Sequence, residues 1–178
     1  DIPQGAHNGA NAVVGEDASS SSQTFVLYSA DGVSTQSRIL PDGTYSFTLN
    51  GLSLDIAGAS TANGAALQLY TSNGTAAQLF SVSFHEISGG KGYYTIRPAH
   101  SQKLLDADNG ACYPGASVAQ WGDTAGAKQR YWVIEKNSDG TVSIINAANG
   151  YALAASSRAA GEQVVTLPKT DSGALAFT

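Results

Sequence analysis

Leu54-Asp55-Ile56 returns as Leu105-Asp106-Ala107, an offset of 51 residues. The same offset carries Asn63-Gly64 onto Pro114-Gly115, Tyr70 onto Trp121, Gln78 onto Gln129 and Phe80 onto Tyr131. An internal repeat constrains a fold more tightly than composition does, because every copy must build the same unit and share a core with its neighbours. A third copy follows with small slips. Leu153 answers Leu105, and a two-residue shortening then sets Gly161 on Gly115, Leu167 on Trp121 and Phe177 on Tyr131.

Each copy opens with a similar run: Gly43-Thr44-Tyr45-Ser46-Phe47, Gly92-Tyr93-Tyr94-Thr95-Ile96 and Gly140-Thr141-Val142-Ser143-Ile144. Apolar residues alternate there at period two, the mark of a half-buried strand. Asp42-Gly43, Asn63-Gly64, Asn73-Gly74, Gly89-Gly90 and Asp139-Gly140 fall between such runs, where turns need positive φ. The pattern predicts four strands per copy: the opening strand, the Leu-Asp strand, the strand ending at Tyr70 or its equivalent, and the strand carrying Phe80. Three copies, at about 42–88, 89–136 and 137–178, give twelve short antiparallel strands. Three-fold repetition of four strands around one core is the all-β, β-trefoil plan, whereas a propeller needs at least four blades. Phe80, Tyr131 and Phe177 are expected in that core.

Residues 1–41 carry an extra partial repeat. A shift of 55 puts Asn63-Gly64-Ala65 on Asn8-Gly9-Ala10, Gln78 on Gln23 and Phe80 on Phe25. Residues 1–41 therefore read as part of a neighbouring trefoil or as a segment that completes the sheet of 42–178, and the sequence as a mature form or a piece of a longer array.

Among the 178 residues only 13% are charged, against about 25% in an average soluble domain. A net charge of −5, with nine scattered Lys and Arg, disfavours nucleic acid or an anionic membrane, both of which need a basic surface. No run reaches the ~18 apolar residues of a membrane-spanning helix, so no membrane insertion is expected. The single Cys112 makes no internal disulfide. The absence of Met together with the low charge points to a secreted, extracellular or cell-surface setting. His7, His85 and His100 lie apart, so no metal site is expected. Asp106-Ala107-Asp108-Asn109-Gly110 departs from a calcium loop in the place of its Gly and the lack of the late Glu. No nucleophile elbow, phosphate loop or dinucleotide motif occurs, so the chain is expected to need no cofactor and not to be an enzyme.

The string Leu54-Asp55-Ile56, then Asn63-Gly64-Ala65-Ala66-Leu67-Gln68-Leu69-Tyr70, then Gln78-Leu79-Phe80 resembles the ricin B-type lectin repeat, in the disulfide-free form of bacterial carbohydrate-binding modules. The resemblance covers 42–178 as three copies and 1–27 as a partial one. It implies glycan binding, with galactose-type or xylan-like ligands, and a place beside covalently linked domains in a larger extracellular protein. A monosaccharide needs an aromatic plate for its C–H face and a fixed carboxylate for its hydroxyls. The family's positions for these fall on Asp55, Gln68 and Tyr70, with Gln78 behind, in copy one. In copy two they fall on Asp106 and Trp121, with Gln129 behind and Ala119 in the place of Gln68. Copy three has Ala154, Val165 and Leu167 there and is expected to be inactive. The family's Asn before the Gln is Ala77 in copy one and Lys128 in copy two.

Bland readings fit each position. Asp55 and Asp106 suit ordinary turn residues, Tyr70 and Trp121 suit core aromatics, and Gln78 and Gln129 suit buried polar ties between strands. Loss of ring and carboxylate together in copy three favours a shared purpose for that pair, while the glutamines read better as ties. The alternative function is a trefoil for protein contact, such as a protease inhibitor, without sugar binding.

Overall fold

The computed structural model describes residues 38–108, 113–123 and 126–178. Most of the partial repeat read in residues 1–41 lies outside them, as do Asn109 and Gly110 of the calcium-like run.

Copy one forms β1 (Gly43–Tyr45), β2 (Thr48–Leu49), β3 (Leu52–Ile56), β4 (Ala65–Thr71) and β5 (Phe80–Ser88). Copy two forms β6 (Lys91–Pro98), β7 (Leu104–Ala107), β8 (Ala116–Trp121) and β9 (Trp132–Lys136), and copy three β10 (Val142–Asn146), β11 (Ala152–Ala154), β12 (Glu162–Gln163) and β13 (Val165–Leu167). Among the described residues thirteen strands stand where twelve were expected. The opening strand of copy one breaks where Phe47 turns into the core, and the third strand of copy three breaks at the buried Val164. The last strand of copy three shrinks to a bridge between Phe177 and Val142.

The wall of the molecule runs β1-β5-β6-β9-β10. It closes where Thr178 N–H donates to Thr48 O at 2.9 Å and Thr48 N–H donates to Thr178 O at 3.2 Å. The hairpins β3–β4, β7–β8 and β11–β13 cap one end, and three equivalent contacts relate them. Ala65 of β4 pairs with Gln120 of β8, Ala116 of β8 with Thr166 of β13, and Glu162 of β12 with Leu69 of β4. Beside each pair a glycine N–H donates across the joint: Gly64 to Gln120 O at 2.8 Å, Gly115 to Thr166 O at 2.7 Å and Gly161 to Leu69 O at 2.7 Å. Their φ angles are 80°, 87° and 87°, a region that a side chain enters only at a cost. This is the β-trefoil, and the Asn-Gly, Pro-Gly and Ala-Gly turns of the three copies are its joints.

The core is shared by all three copies. Leu54, Leu69, Leu105, Leu153, Phe80, Trp132 and Phe177 are fully buried in it. Phe47 packs on Phe80 with ring centroids 6.1 Å apart and edge-on to Phe177 at 5.9 Å, so the first and last copies interlock. Gln120 occupies the place that Leu69 holds in copy one. Its amide, with no exposed surface, donates to Ser60 O and Ala62 O and accepts from Ser101 Oγ, and so binds copy two to the loop after β3. A buried amide with all these partners avoids the penalty of an unpaired one.

One expectation for the core fails. Tyr131 is only half-buried and stacks on His85 at 4.3 Å, while Trp132 fills the place of Phe80. The tight 3₁₀ turn before the fourth strand covers Ala76–Gln78 in copy one and Lys128–Arg130 in copy two. That is an offset of 52, not 51, because one more residue separates Trp121 from its turn than separates Tyr70 from its own.

Candidate functional site

In copy one, Asp55 lies directly opposite Gln68, and Tyr70 follows two residues along β4. Directly opposed residues and residues two apart share a face, so the three project together, away from the core face that carries Leu54, Leu67 and Leu69. Gln68 Nε2 donates to Asp55 Oδ1 at 2.8 Å. Asp55 is 5% exposed and Tyr70 42%. The carboxylate is thus fixed at the base of the face with Oδ2 left to accept, and the phenol ring stands open beside it.

Gln78 is buried under the loop that follows Tyr70. Its Oε1 accepts from Asn73 N and Gly74 N at 2.8 and 3.3 Å, and its Nε2 donates to Thr71 O at 2.9 Å. It does not join the open face; it ties down the backbone that carries the ring. A residue absent from the sequence reading does join that face. Gln163, on β12 of copy three, lies opposite Gln68 on the other edge of β4 and is exposed. Only the pairing between copies reveals it. The signal was the repeat itself, since the offsets carry the joint of Ala66 with Ala119 round to Gln163 with Gln68.

In copy two, Asp106 lies opposite Ala119, and Trp121 follows two residues on. Trp121 is 41% exposed and Asp106 5%. The indole stands beside the neighbouring copy's turn: a Cβ added at Gly64 would meet Trp121 Cζ2 at 3.7 Å, and Asn63 Oδ1 accepts from Gly122 N–H at 3.0 Å. No amide faces Asp106 from β8. Instead Arg130 Nε donates to Asp106 Oδ2 at 2.5 Å, and Arg130 Nη1 donates to Gly122 O at 3.0 Å. Burial pushes the Asp106 carboxyl up from its ordinary pKa, and the Arg130 guanidinium offsets part of that rise.

The chain matches the ricin-type β-trefoil lectin domain-like family over residues 22–121 and again over 76–167. It belongs to that family. No curated protein matches it by sequence comparison. Among solved structures, a designed three-fold symmetric protein, ThreeFoil, is similar at 26% identity and TM-score 0.68, over 76% of this chain and 96% of that one. An exo-β-1,3-galactanase from Clostridium thermocellum is similar at 21% identity and TM-score 0.68, over 78% of this chain and 30% of the enzyme. The Macrolepiota procera ricin B-like lectin, solved in complex with lactose, shares 17% identity at TM-score 0.61, over 80% and 97% of the two chains.

Within this ricin-type fold the third unit has the register but not the chemistry. Ala154 lies opposite Val165, and Leu167 follows two residues on, so neither a carboxylate nor a ring stands there. Leu175, two residues before Phe177, is buried at the place of Gln78. Gln129 is not the counterpart of Gln78, as the constant offset implied. The extra loop residue puts Arg130 on that position and Gln129 one step earlier, where copy one has Ala77. Gln129 is half-buried, and its carbonyl accepts from Asn146 Nδ2 at 2.8 Å. Asp106 and Trp121 share a face as the spacing predicted; Gln129 is not brought behind them in the manner of Gln78.

Proposed function

We propose that this chain is a non-catalytic carbohydrate-binding module, secreted as part of a larger extracellular protein, that holds galactose-type or xylan-like glycans. The observation that carries the reading is the pairing of a buried, hydrogen-bonded carboxylate with a ring about two-fifths exposed in two of three units, with both lost together in the third. An exposed aromatic plate beside a fixed acceptor suits a ligand with a C–H face and hydroxyl edges. The structural relative in complex with lactose supports the galactose-type reading, and the galactanase of which this chain spans 30% supports the role of one module among others. Site one (Asp55, Gln68, Tyr70, with Gln163) is the principal site, and site two (Asp106, Trp121) the second. Two weak sites on one chain raise retention on a multivalent glycan through effective concentration.

The test is retention on immobilised lactose and on xylan, preceded by a glycan array. Tyr70→Ala together with Trp121→Ala is expected to abolish retention while leaving the thermal midpoint within a few degrees, since both rings are partly exposed. Unchanged retention of the double variant overturns the assignment of the sites. A silent array overturns the function and leaves protein contact as the alternative.

A further inference from the structure

Beside site two lies a crevice of about 250 Å³ on the outer side of the β5–β6 hairpin, bordered by Asp123, Gly126 and Ala127. It is polar and aromatic at once. Tyr131 and His85 stack at 4.3 Å and 14° to form one wall, and Leu104 forms an apolar floor. Arg97 Nη2 donates to Asp123 Oδ2 at 2.8 Å, and the Asp123 side chain is 64% exposed. Thr95 and Arg130 complete the lining.

The crevice borders site two through Leu104 and Arg130. Leu104 pairs directly with Trp121 and so shares its face, and Arg130 lines the crevice while holding Asp106. Its origin is the local difference between copies. In copy one Gln78 accepts two loop N–H groups and draws the loop down. Arg130, at the same position, only donates, and it meets the chain after β8 at Gly122 O instead.

We propose that this crevice is a saccharide subsite, so that site two takes a disaccharide or longer glycan with one ring on Trp121 and the next against Tyr131. The inference rests on the carbohydrate-binding reading of site two. An aromatic wall, an apolar floor, a carboxylate acceptor and guanidinium donors are what a second pyranose ring requires. Both guanidiniums are already paired with carboxylates, so a neutral ring is favoured over an anion. The volume lies just below the ~300–1,000 Å³ of drug-sized ligand pockets, which suits one ring.

The experiment is calorimetry on the full chain carrying Tyr70→Ala, which silences site one, with galactose against lactose and xylose against xylobiose. At least one disaccharide is expected to bind about tenfold more tightly than its monosaccharide. Adding Tyr131→Ala, or Asp123→Ala should the first variant fold poorly, is expected to bring that ratio close to one. An equal affinity for mono- and disaccharide, or a ratio that survives both substitutions, overturns the subsite. If the unsubstituted chain binds none of the four sugars, the carbohydrate reading itself falls for these ligands and the subsite with it.

Discussion

Sites one and two share a backbone register and hold their carboxylates in opposite ways. In site one a neutral amide, Gln68, donates to Asp55 from the adjacent strand, and a second amide, Gln78, ties down the loop. In site two the strand offers only Ala119, and one cation, Arg130, reaches both the carboxylate and the loop carbonyl. An amide both donates and accepts, whereas a guanidinium only donates. Two exchanges, Ala119 for Gln68 and Arg130 for Gln78, therefore change what fixes the acid and what fixes the loop. The same loop is one residue longer, and that insertion also moves the buried aromatic along the chain.

The largest effect expected from this comparison lies in the core. Trp132→Ala should cost about 3–5 kcal/mol in urea unfolding, the range for removing a fully buried large aromatic. Tyr131→Ala should cost clearly less, since that ring is half-buried and stacked on His85. The reverse order would restore Tyr131 as the counterpart of Phe80 and remove the one-residue shift.

Next comes the ion pair. Arg130→Ala should destabilise by about 3 kcal/mol, because it strands a buried carboxylate. The Asp106→Leu, Arg130→Met pair should sit near the parent in stability, since replacing both charges by apolar side chains is often close to neutral. It should still lose sugar binding at site two. A pair variant that keeps its affinity would show that Asp106 is there for structure.

Much of this was readable from the sequence, for a physical reason. Strand positions repeat at period two, so once Asp55 was matched to Asp106 and Tyr70 to Trp121, a common face followed in both copies, and Ala154 and Leu167 marked the third as empty. What failed sits in irregular backbone. Gln129-Arg130-Tyr131-Trp132 offers two adjacent aromatics, and an ungapped offset cannot register an extra residue in the loop before them. Gln163 was missed for another reason: it joins site one through pairing between copies, which no single repeat contains. The crevice beside Tyr131 escapes the sequence in the same way, since its lining joins residues of β5 and β6 to Asp123, Arg130 and Tyr131.

The pH response is the third test. Burial raises the Asp106 pKa above its ordinary value, so on acidification this carboxylate takes up its proton earlier than a solvent-exposed aspartate does. Its ability to accept from a sugar hydroxyl is complete above the raised pKa and is lost as pH falls through it. A charge-assisted hydrogen bond contributes about 1.5–3 kcal/mol, so site-two affinity should fall more than tenfold over that window when titrated in the Tyr70→Ala variant. The folded-state pKa exceeds the unfolded one, so stability from this group moves the other way, declining as pH rises from the ordinary carboxylate range through the raised value. Affinity that stays flat down to the ordinary carboxylate range would mean that Asp106 does not touch the ligand.

The smallest effect is the most direct test of the comparison, because it moves one site toward the other. Ala119→Gln places an amide opposite Asp106 in the register that Gln68 holds opposite Asp55. Asp106 Oδ2 is already engaged by Arg130, so the new donor is directed to Oδ1, and the carboxylate becomes fixed on both oxygens. A hydrogen bond of this kind contributes about 1 kcal/mol, or roughly fivefold in affinity. The sign depends on what the sugar needs. If the ligand requires a rigid acceptor, Ala119→Gln strengthens site two and Gln68→Ala weakens site one by a similar factor, both read by calorimetry. If the ligand itself bonds to Oδ1, the added amide competes with it and site two weakens, while Gln68→Ala still costs site one. The pair of measurements thus separates an arginine-held acid that lacks a second fastening from one whose free oxygen is the binding group.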